Sequence, residues 1–410
     1  MISSYDKVPQ FEDHFQSYWH LICIQSASLG LPVIFIGQQL AEVYGAGSAI
    51  ISVIVGNLIS WLIGFAIISM ATPERNNAME NVTSYLGKLG GLIAALILIL
   101  AFFSWYIIQL DGAITGIMAL KGSKSVGMPF GVAMGLFIAV LSIGGIRLIK
   151  IFSLYAFPLV LLYSLYSLYD SGTWPHFEEK IVVSFWGIVV VIATTLPGMV
   201  NLPTFFRHSR SIPDSFMGLS FMVIFTSFFE LYPIFFNSPH LGAVNFFGIE
   251  TIIPTIGFIL ISLLSINLVN IYFAAAGWEM IMPDRKSKIE YAVVGFLGTA
   301  AYAFFKVSAP MVLMGNIANN FLACLSVVLL LAFLVKIVVN HRPRPFEKWI
   351  TMGCWLFGGT YGSIAYLTGV ESSPQAVIGS ICASVVMFIL VIFVEEGVWA
   401  VRRLWRGVDG

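Results

Sequence analysis

Residues 92–100 read Leu-Ile-Ala-Ala-Leu-Ile-Leu-Ile-Leu, an apolar run without a polar position. The strands of a β-barrel alternate apolar and polar residues, so this run is not typical of one. Mostly apolar sequence continues over residues 90–120, and about 20 such residues suffice for a helix to cross the hydrocarbon core of a bilayer. The stretch therefore predicts a transmembrane helix.

The whole chain has the composition of a membrane protein. Of its 410 residues 58% are apolar, 14% are aromatic and only 10% are charged, whereas about 25% of the residues in soluble domains are charged. The mean hydropathy is +0.90. These values exclude a large soluble, fibrous or nucleic-acid-binding protein. A formal net charge of zero, from 21 basic and 21 acidic residues, argues against a polyanionic partner.

The same length criterion predicts an all-α integral membrane protein with about twelve transmembrane helices. The predicted spans are residues 19–43, 47–71, 90–120, 127–146, 149–170, 181–203, 215–237, 252–282, 290–308, 319–339, 350–369 and 375–398. We expect a cytoplasmic N-terminal segment at 1–18, five helices in 19–170, five more in 181–339, two further helices in 350–398 and a C-terminal tail at 399–410.

The distribution of Lys and Arg predicts the orientation of the chain. With the N-terminus inside, seventeen of the 21 basic residues lie on the inner side and four on the outer side. Short loops rich in Lys and Arg stay in the cytoplasm. We therefore expect a multi-pass protein of a bacterial inner membrane with both termini in the cytoplasm.

Two spans carry helix-breaking residues at comparable positions. The first holds Gly30, Pro32 and the segment Gly37-Gln38-Gln39, and the sixth holds Thr-Thr-Leu-Pro-Gly at 194–198. Each opens a group of five spans, and such paired breaks are typical of inverted-repeat transporters, where unwound backbone near the midplane binds substrate and ion. Simple kinks are the alternative. We expect the chain to bend around Gly37 and around 195–198.

The third span carries a candidate receptor for a flat ligand. Trp105 and Gln109 are four residues apart and therefore share one helix face. An indole stacks on a planar ring, and a carboxamide both donates and accepts hydrogen bonds. The alternative is that the two side chains only pack against, or bond to, neighbouring helices.

Polar side chains also repeat along the eighth span, where Ser262 and Ser265 are three residues apart, as are Asn267 and Asn270. Hydroxyl and carbonyl oxygens suit a hard cation such as Na⁺. We predict a sodium site from the two serines and the first span near Gly37. The two asparagines are candidates for binding a substrate edge. Hydrogen bonding between helices is the alternative for both pairs.

Ionisable residues inside the spans cost about 2.5–3.5 kcal/mol at mid-helix and are therefore functional candidates. Four qualify, namely Glu42, Asp111, Glu230 and Glu279. Glu42 and Asp111 are predicted to couple proton movement to transport, and a place in an outer vestibule is the alternative for Glu42. We expect Glu279 to pair with the basic loop at 285–288.

No motif in the chain points to enzymatic chemistry. HExxH, P-loop and nucleophile-elbow patterns do not occur, so we predict neither an enzyme nor an ATP-driven pump. No cofactor is expected beyond a coupling Na⁺ or H⁺. We interpret the four cysteines as buried small hydrophobes, because they show no CxxC pair and lie in separate apolar stretches: Cys23, Cys324, Cys354 and Cys382.

Several short motifs, taken together and in span order, resemble the nucleobase:cation symporter family of purine and cytosine permease type. They are Gly37-Gln38-Gln39-Leu40, Val55-Gly56-Asn57-Leu58, Trp105 to Gln109, Asn201 to Arg207 and Asn267 to Tyr272. The resemblance implies two inverted five-helix repeats of leucine-transporter type, followed by two C-terminal helices. It also implies a planar substrate between the first, third, sixth and eighth helices.

The resemblance assigns roles to individual residues. Trp105 would stack on the substrate, Gln109 would bond to it, Asn267 and Asn270 would be polar contacts from the eighth helix, and Thr195 and Pro197 would form part of the sixth-helix break. We also predict Gln38, Gln39, Thr195 and Pro197 as substrate contacts. The chain departs from the family pattern at Thr204, where an Asp is usual, and at Ile266, where sodium-binding relatives carry a Thr. Gln38 and Gln39 are bulkier than the residues expected in cytosine permeases.

We therefore predict a secondary active transporter that imports a nucleobase or a related planar heterocycle, such as a pyrimidine, purine or hydantoin, with Na⁺ or H⁺. A cation-coupled amino-acid transporter of the same fold is the alternative. A channel would need a polar-lined pore and a receptor would need a signalling domain. The short loops and paired breaks argue against both.

Overall fold

The structure, a computed structural model, describes residues 16–121, 127–171, 182–235, 252–282, 289–305, 309–338 and 347–406. Within these ranges the chain is all α-helical, apart from an isolated parallel β-bridge between Gln16 and Ser209. Large side chains such as Leu58, Phe137, Leu162 and Phe393 are exposed on the outer surface of the bundle. Such a surface is suited to contact with lipid.

The helices are numbered in chain order. They are α1 (Tyr18–Ala27), α2 (Gly30–Tyr44), α3 (Ala46–Ala71), α4 (Ala78–Lys121), α5 (Gly127–Ser142), α6 (Gly145–Ser171), α7 (Phe185–Met199), α8 (Leu202–Phe206), α9 (Ile212–Leu231), α10 (Ile252–Ile281), α11 (Ile289–Phe305), α12 (Ala309–Val338), α13 (Glu347–Leu367) and α14 (Ser373–Arg406). A 3-10 turn, Tyr232–Phe235, follows α9.

The predicted spans correspond in order to these helices, with α1 and α2 forming the first span and α7 and α8 forming the sixth. Seven described helices are long and apolar enough to cross a membrane alone, and they fall within α3, α4, α6, α9 with its 3-10 turn, α10, α12 and α14. Three shorter helices, α5, α7 and α11, are also apolar. The chain is a multi-pass membrane protein.

The two halves of the bundle pack in the pattern of an inverted repeat. Corresponding helices pair with each other, as α3 with α9, α4 with α10, and α5 with α11. The remaining contacts come in matched sets: α1 packs on α6 as α7 packs on α12, and α4 packs on α12 as α10 packs on α6. The last two helices, α13 and α14, pack on each other and on α12.

Both expected helix breaks exist, the first directly before Gly30 and the second shortly after Gly198. The first falls at Ser28 and Leu29, where the Ser28 hydroxyl donates to the carbonyl of Gln25 at 2.7 Å and so occupies an acceptor at the end of α1. The second falls at Val200 and Asn201. The predicted bend around Gly37 is wrong, because Gly37 lies inside α2.

Glycines allow two of the closest helix contacts in the bundle. A Cβ on Gly37 would collide with the backbone carbonyl of Glu230 in α9, and a Cβ on Gly56 would lie 2.6 Å from the Cβ of Val191 in α7. A third glycine, Gly87, divides α4 with a φ of 77°, a conformation that side chains with a Cβ rarely adopt. Gly87 thus separates a short first segment of α4 from the longer segment that contains the apolar run at 92–100.

Three of the cysteines are buried as expected. Cys23, Cys324 and Cys354 lie in the interior, whereas Cys382 is exposed. The expectation was therefore wrong for Cys382, because its face of α14 is turned outward.

Candidate functional site

A chain of amide side chains joins α4 to α10 at the centre of the bundle. Asn270 donates from Nδ2 to Oε1 of Gln109 at 2.6 Å and to Oδ1 of Asn267 at 3.0 Å. Asn267 lies near the midpoint of the 30-residue helix α10 and is fully buried, while Gln109 is half-buried. The structure thus brings together three of the residues that the sequence proposed for substrate binding.

Trp105 lies one turn before Gln109 on the same face of α4. Its indole Nε1 donates to Oδ1 of Asn319 in α12 at 3.2 Å, which fixes the orientation of the ring. The side chain is half-buried, so part of the ring remains accessible. A ring that is held in place and partly accessible, next to amide groups, is suited to stacking on a planar ligand.

The glutamines of the first span lie on α2, close to Glu42. Gln38 donates from Nε2 to Oε1 of Glu42 at 2.9 Å, and both Gln39 and Glu42 are exposed on α2. Asp111 is half-buried on α4. It is two residues from Gln109 and therefore points to a different side of the helix.

The predicted residues of the sixth span face in different directions. Thr195 is bonded to Ser60 of α3, with 2.6 Å between the hydroxyl oxygens, and Pro197 is buried. Thr194 and Gly198 are exposed, and a Cβ on Gly198 would meet no atom within 4 Å. The open side of α7 is therefore formed by Thr194 and Gly198, which the sequence did not single out as contacts.

The predicted sodium ligands lie on two different elements. The Ser265 hydroxyl donates to the carbonyl of Ile261 at 2.8 Å, whereas the buried Ser262 hydroxyl has no hydrogen-bond partner among the described residues. Gly37 faces Glu230 and Pro233 rather than these serines. Among the residues that the structure describes, His, Cys, Asp and Glu form no cluster of three or more that suits a metal ion.

Charged and polar groups close one end of the bundle, which we call the inner face. It is defined by the start of α1, the start of α4, the end of α8 and the end of α10. Glu279 lies 3.8 Å from the Arg207 guanidinium and accepts from Asn77 at 3.5 Å. The expected pairing of Glu279 with the 285–288 loop lies outside the described residues.

The ion pair is embedded in further polar contacts. His208 Nε2 lies 3.1 Å from the hydroxyl of Tyr272. Burial alone would lower the pKa of Arg207, but the neighbouring Tyr272 and Glu279 more than reverse this effect and raise it. The guanidinium therefore stays charged.

The N-terminal segment pairs with this face through its backbone. The amide of Gln16 donates to the carbonyl of His208 at 2.7 Å, and the amide of Arg210 donates to the carbonyl of Gln16 at 3.1 Å. The segment before α1 is thereby bonded to the chain just after α8. The first and sixth spans are joined at the inner face.

A series of aromatic rings lies between the amide chain and the inner face, and we call it the aromatic layer. The ring centroids are 4.8 Å apart for Phe102 and Phe273, 5.0 Å for Phe273 and Phe205, 4.9 Å for Phe205 and Tyr272, and 5.8 Å for Tyr272 and Tyr291. Sequence reasoning missed this layer, although Phe205 and Tyr272 lie in two of the quoted motifs. Its members come from four helices, so no local spacing reveals it.

A buried carboxyl lies away from both the amide chain and the inner face. Glu230 of α9 is 0% exposed and accepts a hydrogen bond from Nδ2 of Asn57 in α3. Sequence reasoning identified Glu230 as an ionisable residue inside a span but gave it no role. Asn57 appeared only within a quoted motif.

Three solved structures share this architecture. Mhp1, described as a nucleobase-cation-symport-1 family transporter in a closed conformation with bromovinylhydantoin bound, matches with a TM-score of 0.64 and 15% identity over 96% of this chain and 95% of its own. A Na⁺-coupled sialic acid symporter matches with a TM-score of 0.66, 12% identity and coverage of 94% and 92%. The Eremococcus coleocola manganese transporter matches with a TM-score of 0.61, 13% identity and coverage of 99% and 98%.

The chain shares the fold of these three proteins. Each of the three is named as a transporter or symporter and none as an enzyme. At identities of 12–15% the likeness extends to the fold alone. No protein-family model and no curated protein sequence matches the chain.

Proposed function

We propose that this protein is a secondary active transporter that imports a nucleobase or a related planar heterocycle together with a cation. The observation that carries the proposal is the pairing of Trp105 with the amide chain of Gln109, Asn270 and Asn267 in the middle of the membrane-spanning region. The cation is Na⁺, at a site including Ser262 and Ser265, or H⁺.

The chemistry of the amide chain favours a heterocycle. A nucleobase presents donors and acceptors along one edge, and a carboxamide satisfies either kind. Stacking of two aromatic rings contributes about 0.5–1.5 kcal/mol beyond the burial of their surface. The Trp105 ring supplies one partner of such a stack. Mhp1, which shares the fold, binds a hydantoin, itself a planar ring. Gln38, Gln39, Thr195 and Pro197 stay predictions as substrate contacts.

The direction of transport is inferred from which side of the site is closed. The aromatic layer lies between the amide chain and the inner face, and the Arg207–Glu279 pair lies in the inner face itself. On the opposite side Gln39 and Glu42 are exposed near the outer end of α2, and Gly198 is exposed on α7 next to the break of the sixth span. This arrangement supports entry from outside, and the distribution of Lys and Arg supports a cytoplasmic inner face.

Substrate competition tests the proposal directly. The purified protein in liposomes would be given radiolabelled cytosine, uracil, hypoxanthine, hydantoin and leucine in separate assays, each with a sodium gradient, a pH gradient or neither. We expect saturable uptake of at least one heterocycle and none of leucine. Uptake of leucine alone would favour the amino-acid transporter, whose substrate carboxylate would bind free backbone amides at the helix breaks.

A further inference from the structure

Glu230 is a fully buried carboxyl with an incomplete set of partners. Asn57 donates to its Oε2, while Oε1 is buried and has no hydrogen-bond partner among the described residues. The residue lies one position before the end of α9, at 0% exposure. A buried acceptor of this kind is uncommon, because a polar group removed from water normally regains its bonds within the protein.

No described cation balances a charge on Glu230. The elements packed against α9 are α1, α2, α3 and the 3-10 turn. None of them, nor α9 itself, carries a Lys or Arg within its bounds. Their titratable groups are Tyr18, His20 and Cys23 of α1, Glu42 and Tyr44 of α2, Tyr232 of the turn and Asp214 of α9, while α3 has none.

The acidic and basic members of this set lie elsewhere. Asp214 accepts from the amide of Tyr18 at the inner end of α9, and His20 is bonded to Ser17 beside it. Glu42 is exposed and bonded to Gln38. A carboxylate at Glu230 would therefore be a buried charge without a counter-ion, a state that proteins avoid by taking up a proton.

Asn57 is suited to both protonation states of its partner. Its Nδ2 donates to a carboxylate, and after rotation of the amide its Oδ1 accepts from a carboxylic acid. The pair can therefore bind and release a proton without leaving Asn57 unsatisfied. A hydrophobic neighbour in place of Asn57 would fix Glu230 in the neutral state.

The carboxyl is also placed to respond to movement of the first span. Gly37 of α2 lies directly against the backbone carbonyl of Glu230, and Pro233 of the following turn packs on the same glycine. Displacement of α2 removes this cover from the end of α9. Since α2 is the separate second half of a broken helix, it can move without α1.

We propose that Glu230, held by Asn57, is the proton-binding site that couples transport to a proton gradient. This inference rests on the proposed function, because it names the coupling ion and its site. In each cycle one proton passes from outer water to the Glu230 carboxylate, and the carboxylic acid later returns that proton to water at the inner face. No other bond forms or breaks.

Infrared difference spectroscopy tests the site without any substrate. We expect a pH-dependent carbonyl band from a protonated carboxyl in the wild-type protein that is absent from Glu230→Gln. The matched control is Glu74→Gln, since Glu74 also accepts from an asparagine, Asn76, but at an exposed position. The band should persist there. If Glu230→Gln fails to fold, a shifted band in Asn57→Ala supports the assignment, and an unshifted one overturns it.

Transport assays distinguish a loss of proton coupling from a loss of substrate binding. With one proton per substrate, a gradient of one pH unit supports about tenfold accumulation. Glu230→Gln should lose this accumulation yet keep exchange of labelled for unlabelled cytosine, uracil or hypoxanthine, whichever the wild type transports. Accumulation at the wild-type level in Glu230→Gln would overturn the proposal. So would loss of pH-driven accumulation in Glu42→Gln or Asp111→Asn while Glu230→Gln retains it.

The two proposals fail in different ways. If the wild type transports none of these bases, the substrate proposal fails while the infrared band still decides the proton site. If bases are transported but neither the band nor the accumulation depends on Glu230, the proton site fails and the transporter stands.

Discussion

At the scale of single residues, Trp105 offers the sharpest test of the substrate site. Trp105→Ala should abolish binding of the transported heterocycle, and Trp105→Phe should retain part of it, because a smaller ring still stacks. Trp61→Ala is a matched control, since the Trp61 indole also donates to a side chain, Ser220, at 3.1 Å but stacks on Phe65. Isothermal titration would measure all three. Equal affinities for wild type and Trp105→Ala would remove the stacking role.

Gln109 is expected to set both affinity and selectivity. Loss of its hydrogen bond to a buried ligand edge should cost about 1–3 kcal/mol, or roughly 5- to 150-fold in Kd. Gln109→Ala should also change the preference between keto and amino heterocycles. Gln375→Ala, which alters an exposed glutamine bonded to Ser372, should leave Kd unchanged. A Gln109→Ala protein with wild-type Kd and selectivity would contradict the assignment.

The sequence predicted some of these residues and could not predict others. Helical spacing predicts that Trp105 and Gln109 share one face of α4. It predicts the same for Asn267 and Asn270 on α10. The two pairs come together because α4 packs on α10. The bond between Trp105 and Asn319 joins residues 214 positions apart, so no local pattern reveals it. Gln38 stays a predicted substrate contact, and its amide also donates to Glu42, one turn away.

At the scale of helices, the break in the sixth span should control how the outer half of that span moves. Pro197 removes a backbone donor inside α7 shortly before the break. Pro197→Ala should restore the missing backbone hydrogen bond and stiffen the last turn of α7 next to the break, lowering both apparent affinity and transport rate while the protein still inserts. Pro158→Ala is the matched control, because Pro158 also lies inside a helix, α6, but away from any break. Unchanged uptake in Pro197→Ala would show that Pro197 only kinks the packed helix and has no role in transport.

Composition and spacing were sufficient for an all-helical membrane fold but not for the positions of the helix breaks. Gly37 has the residue type of a hinge, yet it is needed where α2 approaches α9 without room for a Cβ. The actual break uses Ser28, whose hydroxyl bonds the last turn of α1. A glycine that allows close packing and one that allows bending are indistinguishable in a sequence.

At the scale of the whole molecule, the Arg207–Glu279 pair should stabilise the state with a closed inner face. Glu279→Gln removes the charge, and a loss of about 1 kcal/mol would raise the inward-open population roughly fivefold. A cysteine introduced near Phe205, with the four native cysteines replaced, should then react faster with a thiol reagent from the inner side. Glu347→Gln, a change at the start of α13, serves as the control. An unchanged reaction rate would exclude a gating role for the pair.

The choice of coupling ion should show in uptake by the complete protein. If Glu230 binds the coupled proton, accumulation should follow the pH gradient, collapse with a protonophore and persist when choline replaces sodium. The absent Thr at Ile266 and the bond between the Ser265 hydroxyl and Ile261 agree with that outcome. Strict dependence on sodium, with a higher half-activating concentration in Ser265→Ala, would assign coupling to the eighth span instead.

The two backbone hydrogen bonds between Gln16 and residues 208–210 allow opening of the inner face to be followed by hydrogen exchange. The Arg210 amide is protected from solvent deuterium only while its bond to the Gln16 carbonyl is intact. Separation of the first span from the sixth at the inner face exposes that amide, together with the amide of Gln16. Its deuterium uptake therefore reports the frequency of inward opening in unlabelled, unmutated protein. Adding a transported base should change that rate, which makes the peptide containing Arg210 a ligand screen requiring no radiolabel.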